Sequence, residues 1–482
     1  VSADTQSGSI GKKAYFRATL VTQACALLRY VVLARMLGPE QLGIAATLIL
    51  TSQFLESISD GGGDRFLVQD RDGDKPRVQR LVHLMALARG LFMAVALVVL
   101  SGPLAHFYHR PELGPAFIAL AISPLIGGFL HFDLRRMQRR HDFSREASVM
   151  LIGELVGLAA TIIAAFLTHD FTAVIWGMTA RSLTLVVASW RVAERRYAAG
   201  YSAEYARRLA AFAMPLMANG ILLFFGAQGD RLLISNRLGV AELGHYSAVL
   251  LLVLYPSQVL SRFIQAIQLP LLASVRDDPV ALRSRMDTLS GQALVLAVAQ
   301  TFGFAVVAPF AVPLLYGPAF GLPTLVIALI GILQAHRFIR LWPTVEALAV
   351  GRSTIVLGNN LIRLSAIPMA IWGMALLGGL VGLILGLVIG EVVAFIAAVV
   401  LSNRAAGLAP FTNFSRVLAF TVTCAVVGLA AWSLIERPAI AAAAWAAALF
   451  CVGAVMFLER RLLYLAITMV LDRLRRRPKV AR

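Results

Sequence analysis

Runs of about twenty apolar residues, separated by short connectors carrying Gly, Pro, Arg and Asp, follow one another along almost the whole chain. A bilayer core about 30 Å thick takes about 20 mostly apolar residues in helical form. Fourteen stretches meet that requirement, at 14–36, 41–59, 80–104, 113–134, 146–168, 170–190, 209–229, 241–269, 287–315, 320–347, 353–376, 378–402, 414–435 and 438–458. The pattern predicts an all-α polytopic membrane protein of about 14 transmembrane helices.

The connectors repeat. ARMLGPEQLG, residues 34–43, returns as SNRLGVAELG at 235–244, each between two apolar segments. HFYHRPELGPAFIALAI around Tyr108 resembles PLLYGPAFGLPTLVIALI around Tyr316, and HDFSREASVMLIGELVGL aligns loosely with AVGRSTIVLGNNLIRL, all at offsets of about 201 to 209 residues. Three weak matches in one order at nearly one offset indicate a duplication. Six helices per copy is an even number, so both copies enter the membrane from the same side, about a pseudo-twofold axis along the membrane normal. The expected organisation is a tail at 1–13, a six-helix lobe at 14–195, a second at 205–403, and two further helices at 414–458. The last stretch, 459–482, places Tyr464, Thr468, Asp472 and Arg475 on one helical face, an amphipathic basic tail at the membrane surface.

Composition agrees with this reading: 59% of residues are hydrophobic and 15% charged, with mean hydropathy +0.77. The net charge of +18 would suggest nucleic acid in a soluble chain. Here the basic residues cluster in alternate loops, among them Arg65, Arg71, Lys75, Arg77 and Arg80, then Arg135, Arg136, Arg139, Arg140 and Arg145. The positive-inside rule accounts for them and sets both termini in the cytoplasm. No nucleic-acid partner is expected; membrane lipids are. VSADTQSGSIGKK lacks the apolar core of a signal peptide and reads as a short flexible tail. Cys25, Cys424 and Cys451 lie in apolar segments without metal-ligand spacing, so neither a metal site nor a cofactor is expected. Gly61-Gly62-Gly63 lacks the lysine and hydroxyl of a phosphate loop and reads as a flexible turn. No catalytic motif is present, and the outer connectors are too short for an enzymatic domain.

Charged side chains at depth cost a few kcal/mol even on lenient scales, so they must face a partner or a wet cavity. Arg29, Arg89, Arg181, Arg262, Arg337, Arg340 and Arg363 all fall within apolar segments, against Glu56, Glu154, Glu346 and Glu391. Arginine stays ionised when buried and its planar fork matches phosphate oxygens. The excess points to an anionic ligand, with Arg29, Arg262, Arg181, Arg337 and Arg340 as binding residues. Arg89 and Arg363 sit near segment ends, where they can snorkel to the interface. Glu154 and Glu391, as unpaired intramembrane carboxylates, are candidates for ion coupling. Asp230, closing the seventh segment beside Arg231, is a third, with a gate or outer-end pair as its structural alternative. Pro124, Pro215, Pro256 and Pro270 are potential helix bends.

LARMLGPEQLGIAA at 33–46, SISDGGGDRFLVQ at 57–69, RRHDFSREASVMLIGELVGLAATIIAAF at 139–166, HDFTAVIWG at 169–177 and GDRLLISNRLGVAELGHYSAVLLL at 229–252 together resemble the Wzx-type polysaccharide flippases of the multidrug/oligosaccharidyl-lipid/polysaccharide exporter superfamily. The triple glycine after Asp60 departs from the family pattern. The resemblance implies a transporter in the bacterial inner membrane that carries undecaprenyl-pyrophosphate-linked polysaccharide units, lipopolysaccharide precursors among them, from the inner to the outer leaflet by alternating access. It implies two lobes about a central cavity, a cavity arginine at Arg29, and polysaccharide polymerase machinery as a partner. The rival reading within the superfamily is a multidrug or cation exporter, which would want cavity carboxylates and aromatics. A membrane glycan polymerase or ligase ranks behind both.

Overall fold

The computed structural model describes residues 2–140, 142–195 and 199–460, with side chains from residue 18 onward except at 435 and 436. The expected C-terminal amphipathic stretch therefore lies outside the described residues beyond 460. Those described are helical throughout, without strands. Ser2–Ser59 forms two arms divided at Gly38, whose φ of 76° lies in the left-handed region. These arms are α1 (2–37) and α2 (39–59). After them come α3 (Pro76–Val99), α4 (Pro111–Gly127), α5 (Ser144–Thr168), α6 (Thr172–Val192), α7 (Ala203–Arg237) and α8 (Val240–Ala273). The series continues with α9 (Pro279–Tyr316), α10 (Thr324–Ala349), α11 (Ser353–Leu377), α12 (Gly379–Ala405), α13 (Phe414–Glu436) and α14 (Pro438–Leu458). Fourteen helices thus match the fourteen apolar stretches. Backbone helix begins at Ser2. One expectation is corrected. α7 extends eight residues beyond its apolar run, to Arg237, so Asp230 lies inside the helix rather than at its end.

Three helices are interrupted, and proline explains each break. α4 breaks at Ala121, α10 at Arg340 and α11 at Leu364–Ser365. Pro124, Pro343 and Pro368 stand three or four residues later. Each proline lacks the N–H that would bind the carbonyl four residues back, and its ring crowds that carbonyl. Pro215, Pro256 and Pro270, by contrast, lie within continuous helices.

The repeated connector makes the closest backbone approach in its part of the fold. Gly38 and Gly239 take φ of 76° and 96°, which open the α1–α2 and α7–α8 turns at little steric cost. Their second glycines meet. A Cβ added at Gly43 would fall 1.7 Å from the Val240 carbonyl oxygen, and one at Gly244 would fall 1.9 Å from that of Pro39. The two motifs therefore cross glycine to glycine, each bare Cα against the other's first helical turn. Thr47 and Ser235 add a hydroxyl contact of 3.1 Å within the same packing. Tyr108 and Tyr316, the second matched pair, are both buried, and a short 3₁₀ turn follows each, at Pro111–Leu113 and Pro318–Phe320.

The chain divides into two compact units. The first comprises Val1–Ala248 with Pro313–Phe320, the second Val249–Val312 with Gly321–Arg482. The first thus holds both glycine turns and the C-terminal end of α9.

Candidate functional site

In the first unit the centre is Glu154 on α5. Its carboxylate accepts from Arg29 Nη2 on α1 at 2.9 Å and from Arg181 Nε on α6 at 2.5 Å. α5 and α6 form a helical hairpin with α1 against it. Small residues bring the hairpin close: a Cβ at Gly157 would lie 2.8 Å from Arg181 Cβ, and one at Gly177 would lie 1.8 Å from Thr161 Oγ1. Glu154 is 7% exposed, Arg29 19% and Arg181 40%. Two guanidinium groups on one carboxylate leave one positive charge in excess, and Arg29 Nε has no hydrogen-bond partner among the described residues.

In the second unit Glu391 on α12 accepts from Arg337 Nε at 3.2 Å, Arg340 Nη1 at 3.0 Å and Arg363 Nε at 2.8 Å. Arg340 stands at the α10 break with Arg337 one turn before it, and Arg363 immediately precedes the α11 break. All three arginines are 10–13% exposed and Glu391 is 1% exposed. Arg363 is therefore paired at depth and does not snorkel. Neither Glu154 nor Glu391 is an unpaired carboxylate, because the arginines that alternate helices supply converge on them. Asp230 is likewise engaged, accepting from Tyr246 Oη at 2.6 Å and from the Arg231 backbone N–H at 2.8 Å. Arg262 is the exception: it is exposed on α8, with no ion-pair or hydrogen-bond partner among the described residues. Arg29 and Arg181 are thus brought together, as are Arg337 and Arg340, while Arg262 joins neither cluster.

The connectors of the first unit form an ionic network. Arg208 binds Asp70 and Asp72, Arg139 donates to the carbonyls of Leu67, Val68 and Asp70, and Arg136 binds Asp133 and Glu194. Burial pushes the Asp133 carboxyl up, but Arg136 and the backbone N–H groups of Arg195 and Glu194 hold it below its ordinary value. Next to it, burial lowers His131 to about 4, with the Trp190 ring edge-on at 4.5 Å. A neutral buried histidine contributes stability that is complete above its unfolded pKa of about 6.5 and is lost as pH falls toward the folded value.

Sequence reasoning passed over one edge of α2. Gln53, Glu56, Ser57 and Asp60 recur at helical spacing on one face. That spacing is the signal the sequence offers for this face. Glu56 and Asp60 line two cavities of 330 Å³ each, one toward α3 and α4, the other toward α7.

Comparisons with known proteins agree with this architecture. Residues 32–321 match the family model described as polysaccharide biosynthesis protein. The chain is 29% identical over 293 residues to the succinoglycan biosynthesis transport protein ExoT of Rhizobium meliloti, covering 59% of this chain and 58% of that one. It is 20% identical over 302 residues to the lipopolysaccharide biosynthesis protein WzxC of Escherichia coli, covering 62% and 61%. The chain thus spans about 58–61% of the length of these relatives. Among solved structures, the lipid II flippase MurJ in an inward closed conformation aligns with TM-score 0.64 at 10% identity, over 93% of this chain and 99% of that one. An inward-facing multidrug transporter of the MATE family aligns with TM-score 0.63 at 14% identity, over 83% and 96%. These last two likenesses concern the fold. With residues 32–321, more than half of the chain, matching that family model, and its helices long and apolar enough to cross a membrane, the chain belongs to the polysaccharide biosynthesis protein family of multi-pass membrane proteins.

Proposed function

We propose that this protein is a flippase that moves an undecaprenyl-pyrophosphate-linked oligosaccharide from the cytoplasmic to the outer leaflet of a bacterial inner membrane by alternating access, without catalysing a covalent step. The observation that carries the reading is the Glu154 cluster: Arg29 and Arg181 share one carboxylate, keep a positive excess and remain partly exposed. A pyrophosphate offers what these arginines lack, further oxygens in the bidentate geometry that guanidinium prefers. Glu154 then acts as a placeholder, holding the arginines in position until a phosphate competes for them. Relatives named for transport in succinoglycan biosynthesis and for lipopolysaccharide biosynthesis support the substrate class. Both termini are assigned to the cytoplasm from the basic alternate loops. Glycosyltransferases and a polymerase are the expected neighbours in the pathway. The test is transfer of radiolabelled undecaprenyl-pyrophosphate disaccharide to the outer leaflet of proteoliposomes. Wild-type protein accelerates it and Arg29→Ala abolishes it; preferential transport of tetraphenylphosphonium would instead establish a cation exporter.

A further inference from the structure

The two cavities that meet at Glu56 and Asp60 lie within the first unit and involve neither Arg29 nor Glu154. Their chemistry differs from that of a pocket for an apolar drug, whose walls are mostly hydrophobic with few polar groups. On the α3–α4 side, Glu56, Asp60, Asp64, Arg89, Arg135 and Ser182 share the lining. Asp64 is offset by Arg135 at 3.5 Å, and Asp60 by Arg89 at 3.9 Å. Glu56 has no ion pair or hydrogen bond to its carboxylate among the described residues, and it is exposed to both cavities. On the α7 side the lining is rich in amides: Gln53, Asn219 and Gln228, with the Phe224 ring beside them. Gln228 donates to Gln53 at 3.2 Å, while its own side-chain oxygen is buried without a partner.

The Glu56 carboxylate and the amide groups of Gln53, Asn219 and Gln228 make a set that accepts from and donates to several hydroxyls. Carbohydrate hydroxyls supply both functions. The volume of each chamber, 330 Å³, lies at the lower end of the range of about 300–1,000 Å³ for small-molecule pockets, the scale of one or two sugar rings. A Cβ at Gly127 would meet nothing within 4 Å, so the cavity is open beside that residue. The triple glycine after Asp60 contributes Gly61 and Gly63 to the same lining, so the departure from the family pattern falls at this cavity.

We infer that the α2 edge formed by Gln53, Glu56 and Asp60 is a carbohydrate subsite that holds uncharged or amino-bearing hexose units and disfavours uronic acids. The inference rests on the flippase reading and deepens it: Arg29 and Arg181 hold the pyrophosphate, and the α2 edge reads the sugar. The Glu56 carboxylate, which feels the Arg89 and Arg181 charges without an ion pair to either, accepts hydroxyl or ammonium donors and repels a second carboxylate placed against it. Gln228 and Asn219 satisfy the hydroxyls on the other side.

The experiment measures binding of two probes to the full chain in nanodiscs, bare undecaprenyl pyrophosphate and the same lipid bearing a neutral disaccharide. Wild-type protein should bind the glycosylated probe more tightly. Glu56→Gln and, separately, Gln228→Ala should weaken that probe about tenfold while leaving the bare lipid unchanged, and Glu56→Asp should recover part of the loss. A uronic acid in the disaccharide should weaken binding to wild-type protein and should do so less in Glu56→Gln. Equal affinity of wild-type protein for both probes overturns the subsite. So does equal loss of both in Glu56→Gln, or a Glu56→Gln protein that keeps sugar discrimination and loses only a pH or sodium dependence, which makes Glu56 an ion site. Arg29→Ala should weaken both probes alike. If it weakens neither, the pyrophosphate reading fails while the sugar discrimination still stands or falls on Glu56.

Discussion

Glu154 and Glu391 stand in corresponding helical hairpins, and the ion pair that joins each hairpin has opposite polarity. α5 and α11 begin at Ser144 and Ser353, and at the same offset of 209 residues Glu154 corresponds to Arg363. Arg181 on α6 and Glu391 on α12 lie in the second helix of each hairpin, 210 residues apart. Each hairpin is joined by an acid–base pair, at 2.5 Å in one and 2.8 Å in the other, with acid and base on opposite helices. Attraction between two charges does not depend on which helix carries which, so either arrangement joins the hairpin. The surroundings then diverge. Glu391 is closed off among three arginines that stand at two helix breaks. Glu154 holds two, the more exposed being 40% open. A closed cluster resists exchange of partners because breaking it leaves buried charge uncompensated. An open one permits another anion to compete. We propose from this difference that the Glu391 cluster holds its helices together and that the Glu154 cluster exchanges ligands.

The largest effect should come from Glu391→Ala, which strands three arginines in the membrane. A loss of about 3–5 kcal/mol is expected, read as little or no monodisperse protein after detergent extraction, whereas Glu154→Ala should leave a recoverable protein. If both behave alike, the contrast between closed and open clusters is wrong. The next test exchanges polarity. Glu154→Arg alone puts three arginines together and should prevent folding, while Glu154→Arg with Arg181→Glu recreates the polarity of the second hairpin and should restore insertion. Transfer activity should stay lost in the double variant, because Arg29 no longer has its carboxylate in place. Arg29→Ala should shift the unfolding temperature by no more than about 4 °C yet remove lipid-pyrophosphate transfer. Arg340→Lys should be milder still, about 1 kcal/mol, because Glu391 keeps Arg337 and Arg363; full transfer activity in this variant would separate the two clusters further. The smallest effect concerns the connectors below the Glu154 cluster. Lowering pH from 7 to 4.5 should reduce thermal stability as the buried His131 is driven to take a proton, and His131→Gln should flatten that dependence.

Much of the architecture was legible because it is written in one dimension. Helix number follows from apolar length against bilayer thickness, and the two glycine turns from LG motifs at one offset. The role of the second glycine in each motif was not legible. Gly38 announces a turn in the sequence, but Gly43 reveals its purpose only where it faces Val240 across 197 positions of chain. The proline breaks were half legible: Pro124, Pro343 and Pro368 break their helices while Pro215, Pro256 and Pro270 do not, so tertiary packing decides which freed carbonyl disrupts its helix.

For the charges, the sequence by itself determined which residues are expensive at depth and that arginines outnumber acids. It could not determine the pairing. Arg29 and Glu154 are separated by 125 positions and Arg337 and Glu391 by 54, and hydropathy contains no term for which two helices adjoin. Tertiary structure decided that two glutamates expected to titrate alone are held by arginines. It also left Arg262 without a partner among the described residues and placed Glu56 beside two cavities. The physical reason is that membrane insertion depends on each helix's own composition, whereas a buried charge is satisfied only by what neighbouring helices bring to it.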